Sequence, residues 1–119
     1  MSREPIEFDT ILDLCRDQHR RIVLAVLAEE HRSLTLDDLS KAILKYNHQT
    51  PVTAASEEVL TEIRLTLYHE HIPKLESEGI IEYDTERQHV VPTKQLDQLN
   101  PSLFAIIEAD PGLQVPVAL

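Results

Sequence analysis

The sequence predicts a mainly α domain that carries one small β-hairpin. Apolar residues recur at helical spacing in several stretches before residue 78. Gly79 then leads into two short apolar runs on either side of the turn DTERQ, a pattern that predicts a hairpin. With 119 residues the chain is long enough for one core but not for two. Three helices followed by a hairpin form the layout of a winged helix-turn-helix.

The first half of the chain predicts three short elements and the start of a fourth. FDTILDLC at 8–15 forms the first helix, and Asp17 can cap either a second helix or a continuation of the first, which contains IVLAVLA. Leu34 is expected to pair briefly as a strand. The residues TLDD at 35–38 place a hydroxyl at a helix start and a carboxylate three residues later, which is the capping-box arrangement.

The second half predicts a polar loop at 47–56, a long helix capped by Ser56, the hairpin and a C-terminal helical stretch. Pro73 lies inside the long helix, where it removes one backbone hydrogen bond and predicts a kink. The C-terminal stretch forms one helix or two, split at Asn100-Pro101. An apolar tail follows at 112–119.

The acidic balance of the chain has two explanations. The formal net charge is −10, and its carboxylates are spread along the chain without a long block. They form either a partner-facing acidic surface that repels nucleic acid or an evenly acidic surface typical of salt-loving organisms; the even spread favours the second. Arg20 and Arg21 begin a helix among acids, and we expect exposed pairs with Asp17 or with acids of the next helix.

Other composition features exclude several classes of protein. Cys15 is the single cysteine, so there is no disulfide framework and no CxxC motif. MSREPIEF lacks the pattern of a signal segment, and the apolar run at 22–28 is too short to span a bilayer. No catalytic constellation or glycine-rich phosphate loop is visible. We expect a cytoplasmic protein that is neither an enzyme nor membrane-bound and that needs no cofactor.

The HEH motif at 69–71 raises the question of a metal site. On a helix, His69 and His71 point about 200° apart, so they cannot share one ion. Cys15 and His19 are better spaced, but two ligands without convergent partners make a weak site. The sequence therefore predicts no metal.

The segment LYHEHIPKLESEGIIEYD resembles the recognition-helix-to-wing segment of winged-helix regulators of the arsenic-sensing repressor type. Residues 8–93 are also similar to a family of small haloarchaeal winged-helix proteins of unknown function. The shared features are FDTILDLC, RRIVLAVL, LYHEHIPKL and GIIEYD. The positions that follow the repressor pattern are Tyr68, His71, Ile72, Leu75, Gly79, Ile80 and Ile81.

This resemblance implies binding to double-stranded DNA as a transcriptional regulator. The helix face opposite Tyr68, Ile72 and Leu75 would enter the major groove. Lys74 can meet phosphate or guanine, and side chains such as Thr66 can donate to base edges. The expected DNA-binding residues are Arg64, Thr66, His69 and Lys74 on the helix and Arg87 at the wing tip.

The ends of the chain predict a homodimer. Beyond the winged-helix domain at 1–93, residues 94–119 form a helical extension with an apolar tail. Residues 6–14 and 94–109 carry more apolar positions than a three-helix core needs, and such a surplus marks an interface. The expected dimerisation residues are Phe8, Ile11, Leu12, Leu99, Leu103, Phe104 and Ile107.

A protein-interaction module that kept the fold without DNA binding is the alternative function. The ten-residue loop at 47–56 before the long helix, Pro73 and the scarcity of basic residues favour it. A neutral-to-positive strip along Arg64, Lys74 and Arg87 would favour the regulator instead. A small-molecule sensor is a third class, for which no ligand-specific residue set is visible.

Overall fold

The computed structural model describes residues 6–47 and 57–110. The predicted loop at 47–56 lies almost wholly outside these ranges, as do the predicted Ser56 cap and the apolar tail at 112–119. Within them the chain is mostly helical with one small antiparallel sheet, which confirms the predicted fold class. The order of the elements is that of a winged helix.

Two helices, α1 (Phe8–Cys15) and α2 (Gln18–Glu30), meet at a tight corner. Asp17 caps α2 as predicted, because its Oδ1 accepts hydrogen bonds from the backbone amides of His19 (2.8 Å) and Arg20 (3.3 Å). The helix is buried along most of its length and packs against both α3 and α6. It therefore forms the centre of the core.

The capping box forms where strand β1 (Leu34–Thr35) meets helix α3 (Leu36–Asn47). The backbone amide of Asp38 donates to Thr35 Oγ1 at 3.0 Å, and the Thr35 amide donates to Asp38 Oδ2 at 3.3 Å. Two amides that the helix itself leaves without partners are thus satisfied reciprocally.

The long helical segment, residues 57–77, is continuous but not uniform. It consists of α4 (Glu57–Thr66), a π-helical turn (Leu67–His71) and α5 (Ile72–Ser77). The backbone amide of Ile72 donates to the carbonyl of Leu67, five residues earlier. The interruption that Pro73 predicts therefore takes the form of a widened turn, which removes the clash between a proline ring and the preceding turn.

The π-helical turn changes which side chains face the core. Leu67, His71 and Ile72 are buried. Tyr68, which the sequence analysis grouped with Ile72 and Leu75 on the face away from the groove, is 47% exposed, whereas Ile72 and Leu75 are buried. The grouping assumed 3.6 residues per turn, and because the π-helical turn winds more widely, Tyr68 does not share the buried face of the other two.

Gly79 ends the long helical segment in the left-handed conformation, at φ 75°. The strands β2 (Ile81–Asp84) and β3 (His89–Pro92) form the predicted hairpin. Strand β1 adds to the free side of β3, which gives a three-stranded antiparallel sheet with the order β1-β3-β2. The predicted Leu34 strand is confirmed, since Leu34 pairs with Val90.

The C-terminal helical stretch is a single helix, α6 (Lys94–Glu108), which passes Pro101 without a break. Thr93 caps it, because its Oγ1 accepts a hydrogen bond from the Gln95 amide at 3.2 Å. The helix packs against α1 and α2, so its apolar side joins the same core as the rest of the chain.

This packing corrects the basis of the dimer prediction. Much of the apolar surplus in α1 and α6 is used inside one chain, where the two helices cover each other and α2. Of the predicted dimerisation residues, four belong to the core: Ile11, Leu99, Leu103 and Ile107. Phe104 is half-buried, while Phe8 and Leu12 are 59% and 44% exposed. Only these three remain for an interface.

Candidate nucleic-acid interface

Arg64 of α4 extends to α3 and does not stand alone on the surface. Its Nη2 lies 2.6 Å from Asp37 Oδ1, and Lys41 Nζ of α3 lies 2.9 Å from Asp37 Oδ2. The hydrogen bond from Lys41, reinforced by Arg64, lowers the pKa of Asp37 below its ordinary 3.8 against the opposing effect of burial. One carboxylate therefore holds cations from two helices.

Lys74 of α5 extends in turn to α1. Its Nζ lies 2.7 Å from Asp13 Oδ2, and both side chains are partly exposed. The hydrogen bond from Lys74 lowers the pKa of Asp13 below 3.8. Arg64 and Lys74 are about 15 Å apart along the segment, at 1.5 Å per residue. Arg64 is paired with a carboxylate of α3, and Lys74 is paired with a carboxylate of α1.

Thr66 and His69 lie between these two cations. The Thr66 hydroxyl donates to the Glu62 carbonyl at 3.0 Å, so its oxygen still has lone pairs for another partner. His69 is exposed and meets Tyr68 edge to face, with ring centroids 5.1 Å apart. His69 is exposed and Thr66 is partly exposed, so both side chains are accessible to solvent.

Arg87 lies at the tip of the hairpin, as predicted. It is 76% exposed, and its Nε lies 4.0 Å from Asp84 Oδ2, at the limit of an ion pair. The turn that presents it is fixed by Asp84, whose Oδ1 accepts hydrogen bonds from the amides of Glu86 and Arg87. A rigid turn thus carries a weakly held cation.

A cleft between α4 and the hairpin brings the two parts of the candidate interface together. Its lining includes Arg64, Leu65 and Tyr68 on the helix and Tyr83 and Thr85 on the hairpin. The rings of Tyr68 and Tyr83 meet edge to face with centroids 5.9 Å apart. Exposed apolar side chains therefore border Arg64 in this cleft.

Each of the predicted cations has a carboxylate close by: Asp37 beside Arg64, Asp13 beside Lys74 and Asp84 beside Arg87. Ion pairs this exposed contribute only about 0–1 kcal/mol, since water competes for both partners. A phosphate group can replace such a carboxylate without a large energetic penalty. The arrangement can accept an anionic partner by exchange.

Arg20 is a structural residue, contrary to the expectation of an exposed pair. Only 7% of it is exposed, and it donates to the carbonyls of Leu14 (Nε, 2.8 Å) and Asp13 (Nη2, 3.0 Å). Its Nη1 lies 3.4 Å from Nδ1 of the buried His71. Arg20 therefore joins the corner between α1 and α2 to the π-helical turn.

Arg21 also lacks the expected partner. Its Nη2 pairs with Asp110 at 2.9 Å and its Nη1 donates to the Cys15 carbonyl at 2.5 Å. These contacts fix the end of α6 to the start of α2. Both corrections have one cause, because the acids near Arg20 and Arg21 in sequence are not those that folding places beside them.

One group of ligand-type atoms emerges that the sequence did not suggest. Asp17, His19 and His71 each bring one such atom within 4.8 Å of the others. Asp17 and His19 lie at the start of α2, 54 and 52 residues before His71. The spacing of the sequence gives no signal for their meeting.

The surroundings of His71 oppose a metal ion there. A metal on Nε2, the nitrogen 3.7 Å from Asp17, would require the proton on Nδ1. Nδ1 instead faces the fixed donor Arg20. The contacts favour a neutral His71 whose Nε2–H faces Asp17, and burial lowers its pKa below 6.5. Burial also raises the pKa of the Cys15 thiol to about 11, which disfavours a thiolate ligand.

The sequence analysis did not identify Asp13 and Asp37 as the partners of the predicted cations Lys74 and Arg64. It also did not identify Lys41 as a second cation beside Asp37. The pair Asp37–Lys41 is a four-residue helical spacing and was visible in principle. The contacts of Asp37 with Arg64 and of Asp13 with Lys74 depend on tertiary packing.

Among the described residues, no helix is both long enough and apolar enough to cross a membrane.

Residues 12–91 match the model of a protein family described as Domain of unknown function (DUF7344). No curated protein and no solved structure matches the chain. The match extends from α1 to β3 and includes the Asp37 and His71 contacts. Because it covers more than half of the sequence, the chain belongs to this family of domains of unknown function.

Proposed function

We propose that the protein is a DNA-binding transcriptional regulator of winged-helix type. The long helical segment enters the major groove, and the hairpin tip contacts the neighbouring backbone. One observation carries the proposal: Arg64, Lys74 and Arg87 are accessible on the long helical segment and the wing, and among the described residues each is paired with a carboxylate in an exposed ion pair. The resemblance to arsenic-sensing repressors supports the same assignment.

The net charge of −10 makes salt part of the mechanism. In dilute buffer the spread carboxylates repel DNA. At about 1 M salt the Debye length falls to about 3 Å, so distant charges are screened while direct contacts persist. The cytoplasm of a salt-loving archaeon, the source that the sequence resemblance implies, would supply such conditions.

A homodimer completes this proposal, because one short helix offers few contacts and two half-sites double them. The exposed Phe8 and Leu12 lie on α1, and the half-buried Phe104 lies on α6, the helix that packs against α1. Exposed apolar side chains on adjacent elements favour self-association. These three residues form the proposed interface.

The test is a titration of labelled promoter fragments and of scrambled fragments of equal composition, in molar potassium chloride. A regulator binds one or more promoter fragments at least tenfold more tightly than their scrambled counterparts, which corresponds to about 1.4 kcal/mol. Equal binding of all fragments, or none, contradicts the proposal.

A protein-interaction module is the second candidate, and the cleft between α4 and the hairpin favours it. Leu65 and Tyr68 are 52% and 47% exposed there, which is unusual for side chains that only solvate a helix. If this cleft binds a protein, replacing both residues with serine abolishes that complex and leaves any DNA titration unchanged. If the segment reads DNA, the same change weakens DNA binding.

A further inference from the structure

Asp37 bridges two cations that come from different helices. Its Oδ1 meets Arg64 of α4 at 2.6 Å, and its Oδ2 meets Lys41 of α3 at 2.9 Å. The exposed fractions of the Asp37, Lys41 and Arg64 side chains are 45%, 47% and 50%. Both carboxylate oxygens are engaged, yet all three side chains remain open to solvent.

Local helix chemistry explains only half of this arrangement. A carboxylate in the first turn of α3 suits the helix dipole, and a lysine four residues later is a common partner. Neither effect accounts for Arg64, which is 27 residues away in sequence and comes from α4. Two cations therefore contact one carboxylate, one at each oxygen, and share its single negative charge.

We propose that Lys41 and Arg64 form a clamp for a backbone phosphate of DNA, and that the Asp37 carboxylate occupies this clamp in the free protein. A phosphodiester presents two non-bridging oxygens that share one negative charge, the same pattern that a carboxylate presents. Binding is an exchange in which phosphate enters between the two cations and Asp37 turns to water. The inference rests on the proposed DNA-binding function and adds Lys41 to its contacts.

The neighbouring contacts permit this exchange. Asp38, the next acid on α3, is held in the capping box with Thr35 and so stays in place when Asp37 moves. The start of α3 therefore keeps its cap. The clamp opens by rotation of one exposed side chain, without a change in the backbone.

Asp37 then acts as a built-in competitor, which has a measurable consequence for salt dependence. Each phosphate newly neutralised by a free cation steepens the slope of log K against log salt by about 0.9. In the wild type this steepening of the salt slope is offset, because the Asp37 carboxylate takes up a counterion when it leaves the clamp. Removal of its charge should strengthen binding and steepen the slope together.

The experiment compares the wild type, Asp37→Asn and Glu62→Gln in binding to a labelled duplex at several potassium chloride concentrations. Glu62→Gln is the matched control, because it removes one exposed negative charge two residues from Arg64 and no described cation pairs with that side chain. We expect Asp37→Asn to bind roughly 2- to 5-fold more tightly than Glu62→Gln, the amount set by an exposed ion pair. Its salt slope should be steeper by about one contact.

Two further variants exclude a general effect of charge. Lys41→Ala and Arg64→Ala, each in the Asp37→Asn background, should remove the gain. Circular dichroism and the thermal unfolding midpoint show that each variant is folded, and Asp37→Ser replaces Asp37→Asn if that protein does not fold.

The outcomes separate the clamp from the regulator. If Asp37→Asn gains no more than Glu62→Gln, or if the gain survives the loss of Lys41 and Arg64, the clamp is overturned even where promoter preference is observed. If Asp37→Asn gains through both cations while no fragment is preferred, the clamp stands and the regulator fails. Absence of binding by every variant overturns both.

Discussion

Arg20 and Arg64 are the same residue type in two contrasting regions. Arg20 is buried at the α1–α2 corner and donates to two carbonyls beside His71. Arg64 is half-exposed and pairs with a carboxylate that it shares with Lys41. The buried arginine satisfies groups that water cannot reach, whereas the exposed one can exchange its partner. Burial thus separates the structural cation from the one that we propose contacts DNA.

The largest expected effect comes from removing the buried member of this comparison. Arg20→Ala leaves two carbonyls and His71 without their donor, which should lower the free energy of unfolding by about 3–5 kcal/mol. Arg64→Ala should lower it by less than about 1 kcal/mol. Urea denaturation followed by circular dichroism measures both. Equal losses would show that the two arginines do not differ in role.

The same contrast holds for apolar residues of α1 and α6. Leu103 is 1% exposed, and Leu103→Ala should cost about 2–5 kcal/mol through the cavity it creates. Phe8→Ser with Leu12→Ser should have a much smaller effect on unfolding but should shift the mass in solution from dimer to monomer. Sedimentation equilibrium measures that mass. A double variant that stays dimeric would place the interface elsewhere.

The pH dependence of the free energy of unfolding distinguishes the buried region around His71 from the exposed region around Arg64. The pKa of His71 in the folded protein lies below its ordinary value of 6.5. At pH values between the folded pKa and 6.5, the unfolded chain therefore binds more protons than the folded one. The free energy of unfolding should therefore fall as the pH is lowered from 6.5 through the folded pKa. His71→Gln should remove this part of the pH dependence, and Arg64→Ala should keep it. A wild-type profile that is flat between pH 7 and 5 would contradict the burial of a neutral histidine.

The smallest expected effect concerns the exposed pair of Lys74 and Asp13. Lys74→Ala should change the free energy of unfolding by less than about 1 kcal/mol, because both partners are solvated in either state. A loss above 2 kcal/mol in urea denaturation would mean that this pair is structural and is not free to exchange.

Local signals made much of the fold predictable. The Asp17 cap, the capping box of Thr35 and Asp38 and the left-handed Gly79 each depend on a few neighbouring residues. The hairpin follows from apolar runs around a polar turn. The chemistry of these elements is complete within about five residues, so the sequence contains it.

The rest depends on contacts that sequence spacing does not encode. Pro73 predicts a break, but the form of a π-helical turn, and with it the exposure of Tyr68, depends on packing around His71. The partners of Arg20 and Lys74 come from distant elements. The five residues predicted to contact DNA are accessible. The sequence analysis did not predict the carboxylates that lie beside three of them, Arg64, Lys74 and Arg87.

The central claim is that exposed cations on the long helical segment and the wing exchange carboxylates for DNA phosphates. The most direct measurement is a titration of the preferred promoter fragment in molar potassium chloride against the wild type, Lys74→Glu, Arg87→Glu and Arg32→Glu. Arg32 is the matched control, an exposed arginine after α2 that pairs with Glu30 at 3.1 Å. Lys74→Glu and Arg87→Glu should each weaken binding by at least tenfold, as expected when a phosphate contact is reversed in charge, and Arg32→Glu should weaken it much less. If all four proteins bind alike, the segment and the wing do not contact DNA.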